Sequence, residues 1–365
     1  MTRFSIARAA PGLGRPLAQT AAVLVGLGAL VLLAGTIAGR GDAALTALEA
    51  SWLFLAGLAA GTVALAAAVR LSHGRWADQV LHVAEAGGGF FGPAIAVLTL
   101  LLASRGASDL HSGRPAGSLA IRAALLLVAV LLVAGLGARF VALARTRGEP
   151  PWRVRGAAAT YLVAFGVGLS IWAWGLAPDL IAQPAFTVVP PYVFMGALLS
   201  GVAGVALVAA LQGLGGPDVR HDLGKLLFGL AGLWGYLLWS LVLPTWYGNI
   251  PAEAAVLLAR WSGASRPIAV MALAGVLAVP LVLLLPEPWK RRRAPLAAGA
   301  ASVLAGLWAE RFLLVGPPLG RPPDAWSLLI GGGVMAGMAG LFLLSVGGGL
   351  AAGPRQPEPP GHPSS

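Results

Sequence analysis

The amino-acid sequence predicts an all-α integral membrane protein with about ten transmembrane helices. Three features predict this fold class: a high hydrophobic content, a low charge content and a regular series of apolar runs. Hydrophobic residues make up 58% of the 365 residues, charged residues make up 11%, and the mean hydropathy is +0.81. Soluble domains carry roughly 25% charged residues. Because water could not solvate so much apolar surface, lipid must surround most of the chain.

Each apolar run is long enough to cross a bilayer, which takes about 20 residues of α-helix. The first run, 20–38, follows Arg3, Arg8 and Arg15. It exceeds the roughly 7–15 residues of a signal-peptide core, so we expect it to remain as the first helix. The predicted spans cover 19–38, 46–69, 84–104, 119–144, 157–177, 191–213, 223–247, 267–286, 295–316 and 326–350.

The sequence predicts three parts and a faint internal duplication. A cytoplasmic segment at 1–18 precedes a membrane domain at 19–352, and a Pro-rich tail at 353–365 is expected to be disordered. The third and seventh spans follow similar motifs, Arg-Trp-Ala-Asp and Arg-His-Asp. Pseudo-repeats near 46–177 and 191–316 would give two four-helix bundles with two flanking helices. Chance similarity is the alternative explanation of these motifs.

The basic residues predict the orientation of the chain in its membrane. The net charge is +11, but Lys and Arg lie between the apolar runs and form no patch that would bind nucleic acid. Seventeen of the 25 fall on the N-terminal side of the ten-span arrangement, seven fall on the other side, and Arg311 lies within a span. Positive charge is enriched on the cytoplasmic side. We therefore expect a multi-pass protein of the bacterial inner membrane with both termini in the cytoplasm.

The residue inventory excludes several kinds of redox and catalytic site. The chain has no cysteine, which excludes disulfides, iron–sulfur clusters and thiolate haem attachment in this subunit. Only His82 and His221 lie near the membrane, and both lie at a predicted membrane face. No facing pair of haem ligands in mid-membrane is therefore expected. No P-loop, dinucleotide fingerprint or hydrolase motif is present. We predict no metal bound by this chain.

Four ionisable residues within or beside the spans are candidates for a proton path: Glu49, His82, Glu85 and Glu310. His82 and Glu85 are three positions apart and therefore share a helix face. Together they could form a proton-uptake site or an interfacial cap pair. Glu49 could line a cavity or lie at the outer interface. Glu310 could carry protons, touch a quinone head group or pair with an Arg of a neighbouring helix. Adjacent side chains point about 100° apart, so Glu310 need not pair with Arg311.

The stretch 221–253 combines a charged cluster, an aromatic span and an unusual helix exit. His221, Asp222 and Lys225 form what we name the collar, at the predicted cytoplasmic start of the seventh span, where Asp222 would suit a helix N-terminus. A topological role is the simplest explanation of the collar. The aromatic part and the exit are candidates for a quinone site or a subunit interface: Tyr236, Trp239, Trp246, Tyr247, Asn249 and Glu253.

The same stretch resembles the NrfD-like (polysulfide reductase membrane subunit) family. Its Asp-Leu-Gly-Lys-Leu-Leu-Phe and Trp-Tyr-Gly-Asn-Ile-Pro motifs are similar to those of the second, smaller NrfD-like subunit (ActF-type) of bacterial alternative complex III. Weaker similarity covers Val83-Ala84-Glu85-Ala86, the neighbourhood of Pro280, and 308–317. The chain departs from the family where Leu307 replaces a histidine and where Glu253 stands alone instead of a glutamate pair.

The resemblance implies two four-helix bundles with flanking helices and a place in a quinol:electron-acceptor oxidoreductase. The implied partners are a second NrfD-like subunit, an iron–sulfur subunit, multihaem cytochrome c subunits and a terminal oxidase. Haem and iron–sulfur groups would belong to those partners, and this chain would hold at most a menaquinone, another quinone or a lipid. A stand-alone transporter is the alternative, because ten spans and internal repeats are also normal there. A transporter predicts a polar mid-membrane site with broken helices.

Overall fold

The computed structural model describes residues 14–111, 116–176, 187–261, 263–315 and 324–351. All the regular structure in these ranges is helical, and ten helices are long and apolar enough to cross a membrane. The all-α, ten-helix prediction is confirmed. The helices are α1 (Arg15–Ile37), α2 (Gly41–Leu71), α3 (Leu81–Gly106), α4 (Ala120–Arg145), α5 (Pro151–Leu176), α6 (Val189–Gln212), α7 (Gly216–Gly248), α8 (Gly263–Leu283), α9 (Arg293–Val315) and α10 (Ala325–Leu350).

The ten crossings define two ends of the bundle. We name the end at which α1 begins the near face and the opposite end the far face. An even number of crossings brings the described chain back to the near face after α10. The predicted segment 1–18 lies largely, and the tail 353–365 entirely, outside the described residues.

The helices pack as two groups of four with two more at the side. In the first group α2 contacts α3 and α5, and α4 packs along α5; in the second, α6 contacts α7 and α9, and α8 packs along α9. The groups meet where α2 lies against α6. Each of these two helices is the first of its group in chain order. α1 packs mainly on α10, and α10 packs on α2 and α3. This arrangement is the one that the resemblance implied.

Small residues allow the two groups to meet closely. A Cβ on Gly61 of α2 would lie 2.0 Å from the carbonyl oxygen of Ala197 on α6, and one on Gly201 would lie 2.1 Å from the Gly61 carbonyl carbon. Backbones that approach this closely require glycine, and small residues are favoured at helix contacts in lipid. α2 is consequently the most enclosed helix, with 94% of its span window buried.

Two spans are irregular, and both irregularities serve packing. α3 contains a 3₁₀ turn at Gly87–Phe90, where Gly87 faces α2 and Gly89 faces the Ser345 carbonyl of α10. α8 contains a π-helical stretch, Ala274–Ala278, just before Pro280, which cannot donate a backbone hydrogen bond. Gly275 in that stretch packs against α9. Neither irregularity exposes a polar side chain to the interior.

The most significant departure from the predicted boundaries concerns α7. This helix begins at Gly216 rather than near residue 223, with Pro217 in its first turn and Asp218 as its N-terminal acid. The collar therefore lies within the helix, and the expectation that Asp222 serves a helix N-terminus is wrong. Glycines with positive φ at positions 215 and 216 reverse the chain after α6, which moves the start toward Pro217.

Candidate functional site

A charged cluster at the near face centres on Glu85, in the first turns of α3. Its carboxylate, 4% exposed, accepts hydrogen bonds from Arg70 of α2 at 2.5 Å and from Arg145 of α4 at 3.4 Å. Glu85 therefore pairs with these two arginines rather than with His82, its predicted partner. His82 is buried in the first turn of the same helix, and its Nδ1 has no hydrogen-bond partner among the described residues.

Replacing Glu85 by glutamine is expected to destabilise the near face, because the guanidinium groups of Arg70 and Arg145 would lose the carboxylate that they share. Hydrogen bonds to charged groups contribute about 1.5–3 kcal/mol each to the free energy of unfolding. Because Arg145 is partly exposed, we expect the loss of unfolding free energy to lie toward the lower end of this range. Thermal unfolding of the purified protein in detergent would measure it. An unchanged midpoint would contradict a structural role for this carboxylate.

An apolar cleft of about 430 Å³ lies beside this cluster. It runs between α10 on one side and α6 and α9 on the other, with α2 as its floor and the start of α3 at its near-face end. The indole of Trp308 is part of its wall, and its Nε1–H has no hydrogen-bond partner among the described residues. The lining residues are Phe54, Leu55, Leu58, Thr62, Val83, Ala86, Gly87, Gly204, Val205, Leu207, Val208, Leu304, Ala305, Trp308, Met335, Ala339, Phe342, Leu343, Val346 and Leu350.

Glu310 and Arg311 form a buried ion pair in the far-face half of α9. Arg311 Nη1 lies 3.0 Å from Glu310 Oε2, with side-chain exposures of 3% and 7%. The sequence left this pairing open, and the structure shows that the two neighbours do pair. Arg311 reaches across to α6, where Nη2 donates to the Val193 carbonyl at 3.3 Å, and Gly196 leaves room for the guanidinium. Tyr192 lies within hydrogen-bonding reach of the Glu310 carboxyl group.

Glu49 is held near the far face by Arg105 of α3 in a direct ion pair, with 12% of its side chain exposed. α2 begins at Gly41, before the predicted residue 46, so the later start on which an interfacial location for Glu49 depended does not occur. From Glu49 to Arg70, the partner of Glu85, α2 rises about 32 Å. Ser51 and Thr62 are the polar residues that this stretch of α2 contains. The proton path through Glu49, His82, Glu85 and Glu310 remains a prediction.

The collar belongs to an ion network that joins α7 to the short helix Glu287–Lys290 between α8 and α9. Lys225 Nζ lies 2.8 Å from Asp222 Oδ1, and His221 Nε2 lies 3.6 Å from Glu287 Oε1. A hydrogen bond from Arg291 and the charge of His221 lower the pKa of Glu287. The contribution of Glu287 to folding stability is therefore complete at a pH above the ordinary carboxyl pKa. It is lost as the pH falls through the lowered pKa. These ion pairs give the collar a structural contact with the chain before α9, and its topological role remains a prediction.

The four aromatic candidates of α7 lie on the outside of the bundle rather than around a cavity, whereas Trp234 of the same helix is buried against Tyr192 of α6. Tyr236 is 63% exposed, Trp239 53%, Trp246 70% and Tyr247 85%, and Asn249 ends the helix with φ +46°. The side chain of Glu253 lies outside the described residues, although its backbone belongs to the helix Pro251–Trp261. None of the described side chains among these candidates lines the cleft, and the quinone-site and interface roles both remain predictions.

The donor groups of the cleft do not fit a quinone, whereas its apolar lining is compatible with the lipid that the resemblance also allows. Among the described residues, no group of three or more His, Cys, Asp or Glu could hold a metal. A quinone has two carbonyls to satisfy. The cleft offers the free N–H of Trp308, while the Thr62 hydroxyl already donates to the Ala59 carbonyl at 2.8 Å. No model of a known protein family matches the chain, and no curated protein matches it.

Sequence reasoning missed the cleft, Arg70, Arg145 and Trp308 as site residues. Apolar residues line the cleft, and in this composition no pattern distinguishes them from ordinary packing residues. The arginines were interpreted only as topology signals. The spacing of Arg70 and Glu85 across the loop between α2 and α3 is the one signal that could have indicated their contact.

Proposed function

We propose that this chain is an integral subunit of a larger membrane complex, and that the complex is a respiratory quinol:electron-acceptor oxidoreductase of the alternative complex III type. Electron transfer takes place in the partner subunits named by the resemblance, and this chain contributes helix packing in the bacterial inner membrane with its near face in the cytoplasm. One observation carries the subunit assignment: the exposed face of α7.

That face has the spacing of a helix-packing surface. Gly229, Gly232, Tyr236, Trp239, Leu243 and Trp246 follow one another at intervals of three and four residues, the repeat that presents one stripe to a partner helix. The four large side chains are exposed, and the two glycines have open space around them. Glycines that leave room and aromatic residues that fill it are both typical of helix contacts and interfaces.

A lipid-facing aromatic belt would explain Trp246 but not Tyr236. Belts form at the membrane–water interfaces, whereas Tyr236 lies 12 residues, or about 18 Å, from the far-face end of α7. Its hydroxyl makes no hydrogen bond to a described residue. A lone phenol in hydrocarbon is unfavourable, so a partner group that receives it is expected.

The alternative, a stand-alone transporter, is less well supported by the interior. It requires a polar site at a broken helix in mid-membrane. The 3₁₀ turn of α3 and the π stretch of α8 pack through glycine, the described cleft is apolar, and Glu49, Glu85 and Glu310 are each paired with arginine.

Changing the α7 face is expected to release the partners without unfolding this subunit. Tyr236→Ala combined with Trp239→Ala removes exposed side chains, so the thermal midpoint of the isolated subunit should change little, while copurification with its partners should fall by about tenfold or more, as at interface hot spots. Trp326→Ala is the matched control, since Trp326 is equally exposed (63%) but lies on α10.

Purification from native membranes in mild detergent tests the respiratory assignment. Mass spectrometry should find a second NrfD-like subunit, an iron–sulfur protein and a multihaem cytochrome, with a matching haem spectrum. A colourless, monodisperse protein without these partners would refute the proposal, and transport assays would follow.

A further inference from the structure

The apolar cleft opens toward the hydrocarbon of the membrane. The exposed position of Ala305 in its wall shows that the cleft is reached from outside the bundle. Along α10 it extends from Met335 to Leu350, a rise of about 22 Å. In a bilayer this space is too apolar to hold water, because its lining offers one free donor, the Trp308 Nε1–H, and a buried water needs about two to four polar partners. A hydrocarbon chain of a membrane lipid fits the shape and chemistry of the cleft.

The near-face end of the cleft carries excess positive charge. A Cβ placed on Gly349 of α10 would lie 2.9 Å from Ala86 Cα, in the cleft wall, and 3.3 Å from Arg145 Nη2. The Arg145 guanidinium therefore borders the near-face end of the cleft. Glu85 is shared between Arg145 and Arg70, so the cluster keeps one unit of positive charge. Arg145 is the more exposed of the two arginines (37% against 19%) and makes the longer contact.

We propose that the cleft and Arg145 together form a binding site for one anionic glycerophospholipid. One acyl chain occupies the cleft, and the phosphate binds the Arg145 guanidinium, which can donate two hydrogen bonds to a phosphate. Basic pockets between transmembrane helices are favourable sites for anionic head groups. The site uses α2, α3, α4, α6, α9 and α10, and it is independent of the exposed face of α7 and of the proposed respiratory function.

Native mass spectrometry of the full chain from bilayers of phosphatidylcholine with phosphatidylglycerol tests this site. The wild-type chain should retain one phosphatidylglycerol in preference to phosphatidylcholine. Arg145→Gln should reduce that preference about fivefold, the contribution of one basic group. Arg145→Lys keeps the charge and should keep most of the preference. Ala305→Phe, which fills the cleft from an exposed position, should reduce retention of both lipids.

Two control variants address nonspecific loss. Arg153→Gln removes a near-face arginine that pairs with Glu149, and Ala22→Phe enlarges an exposed residue of α1; both should leave retention unchanged. The proposal is overturned if Arg145→Gln and Arg153→Gln behave alike, if the two phospholipids are retained equally, or if the cleft retains a quinone from native membranes in place of phospholipid. Thermal unfolding of each variant separates lost binding from lost folding, because Glu85 keeps Arg70 as its partner in Arg145→Gln.

Discussion

Gly61→Ala is expected to cause one of the largest losses of stability available to a single methyl group in this protein. The added Cβ would lie 2.0 Å from the Ala197 carbonyl oxygen and 2.8 Å from its carbon, both backbone atoms of α6. Neither can rotate away, so α2 and α6 must separate along the contact between the two groups of helices. Overpacking of this kind costs about 1–3 kcal/mol, and the loss of neighbouring contacts adds to it.

Gly166→Ala is the matched control for this change. Gly166 also lies within a transmembrane helix, but a Cβ there meets nothing within 4 Å. Alanine is favoured over glycine in a helix by about 1 kcal/mol, so this variant should be as stable as the wild type or more stable. Thermal unfolding in one detergent compares the two. Equal midpoints would show that the α2–α6 contact is looser than described above.

Glu310→Gln is expected to be the most damaging change of a single ionisable group. It leaves the Arg311 guanidinium, 3% exposed, with its charge uncompensated between α6 and α9. Removing one partner of a buried pair costs about 3–5 kcal/mol. The double variant Glu310→Gln with Arg311→Gln should recover much of this loss because it buries no net charge.

An exposed pair on the far face provides the comparison. Arg40 and Asp324 form an ion pair with 43% and 44% exposure, and Asp324→Asn should cost only about 0–1 kcal/mol. Turnover of the purified complex distinguishes the two roles of Glu310. If the double variant is stable and turns over normally, Glu310 is structural; if it is stable but its turnover and proton release fall, the proton-path prediction gains support.

The sequence predicted the number of spans, and each predicted window overlaps an observed helix. Hydrophobicity was sufficient because a bilayer requires every backbone polar group to be satisfied within its own helix. The boundaries failed where glycine and proline act locally. The start of α7 moved to Gly216 because Gly215 and Gly216, both with positive φ, reverse the chain directly before Pro217.

The candidate residues were identified more reliably than their partners. Glu49, Glu85 and Glu310 stood out because charge within an apolar run is rare. Their arginine partners Arg105, Arg70 and Arg311 could not be assigned, since pairing depends on which helices are neighbours and on rotamers. For Arg311 the deciding feature is Gly196, 115 positions away in sequence, which leaves space for its guanidinium.

Hydropathy and charge in the sequence alone determined that this protein is a ten-helix membrane protein, because solvation by lipid acts on each helix separately. The tertiary structure decided which charges neutralise each other, that Tyr236, Trp239, Trp246 and Tyr247 of α7 face outward, and that an apolar cleft lies beside Arg145. These features arise from contacts between helices far apart in sequence. In lipid those contacts depend on shape and on small residues rather than on hydrophobicity, and hydropathy therefore carries no signal for them.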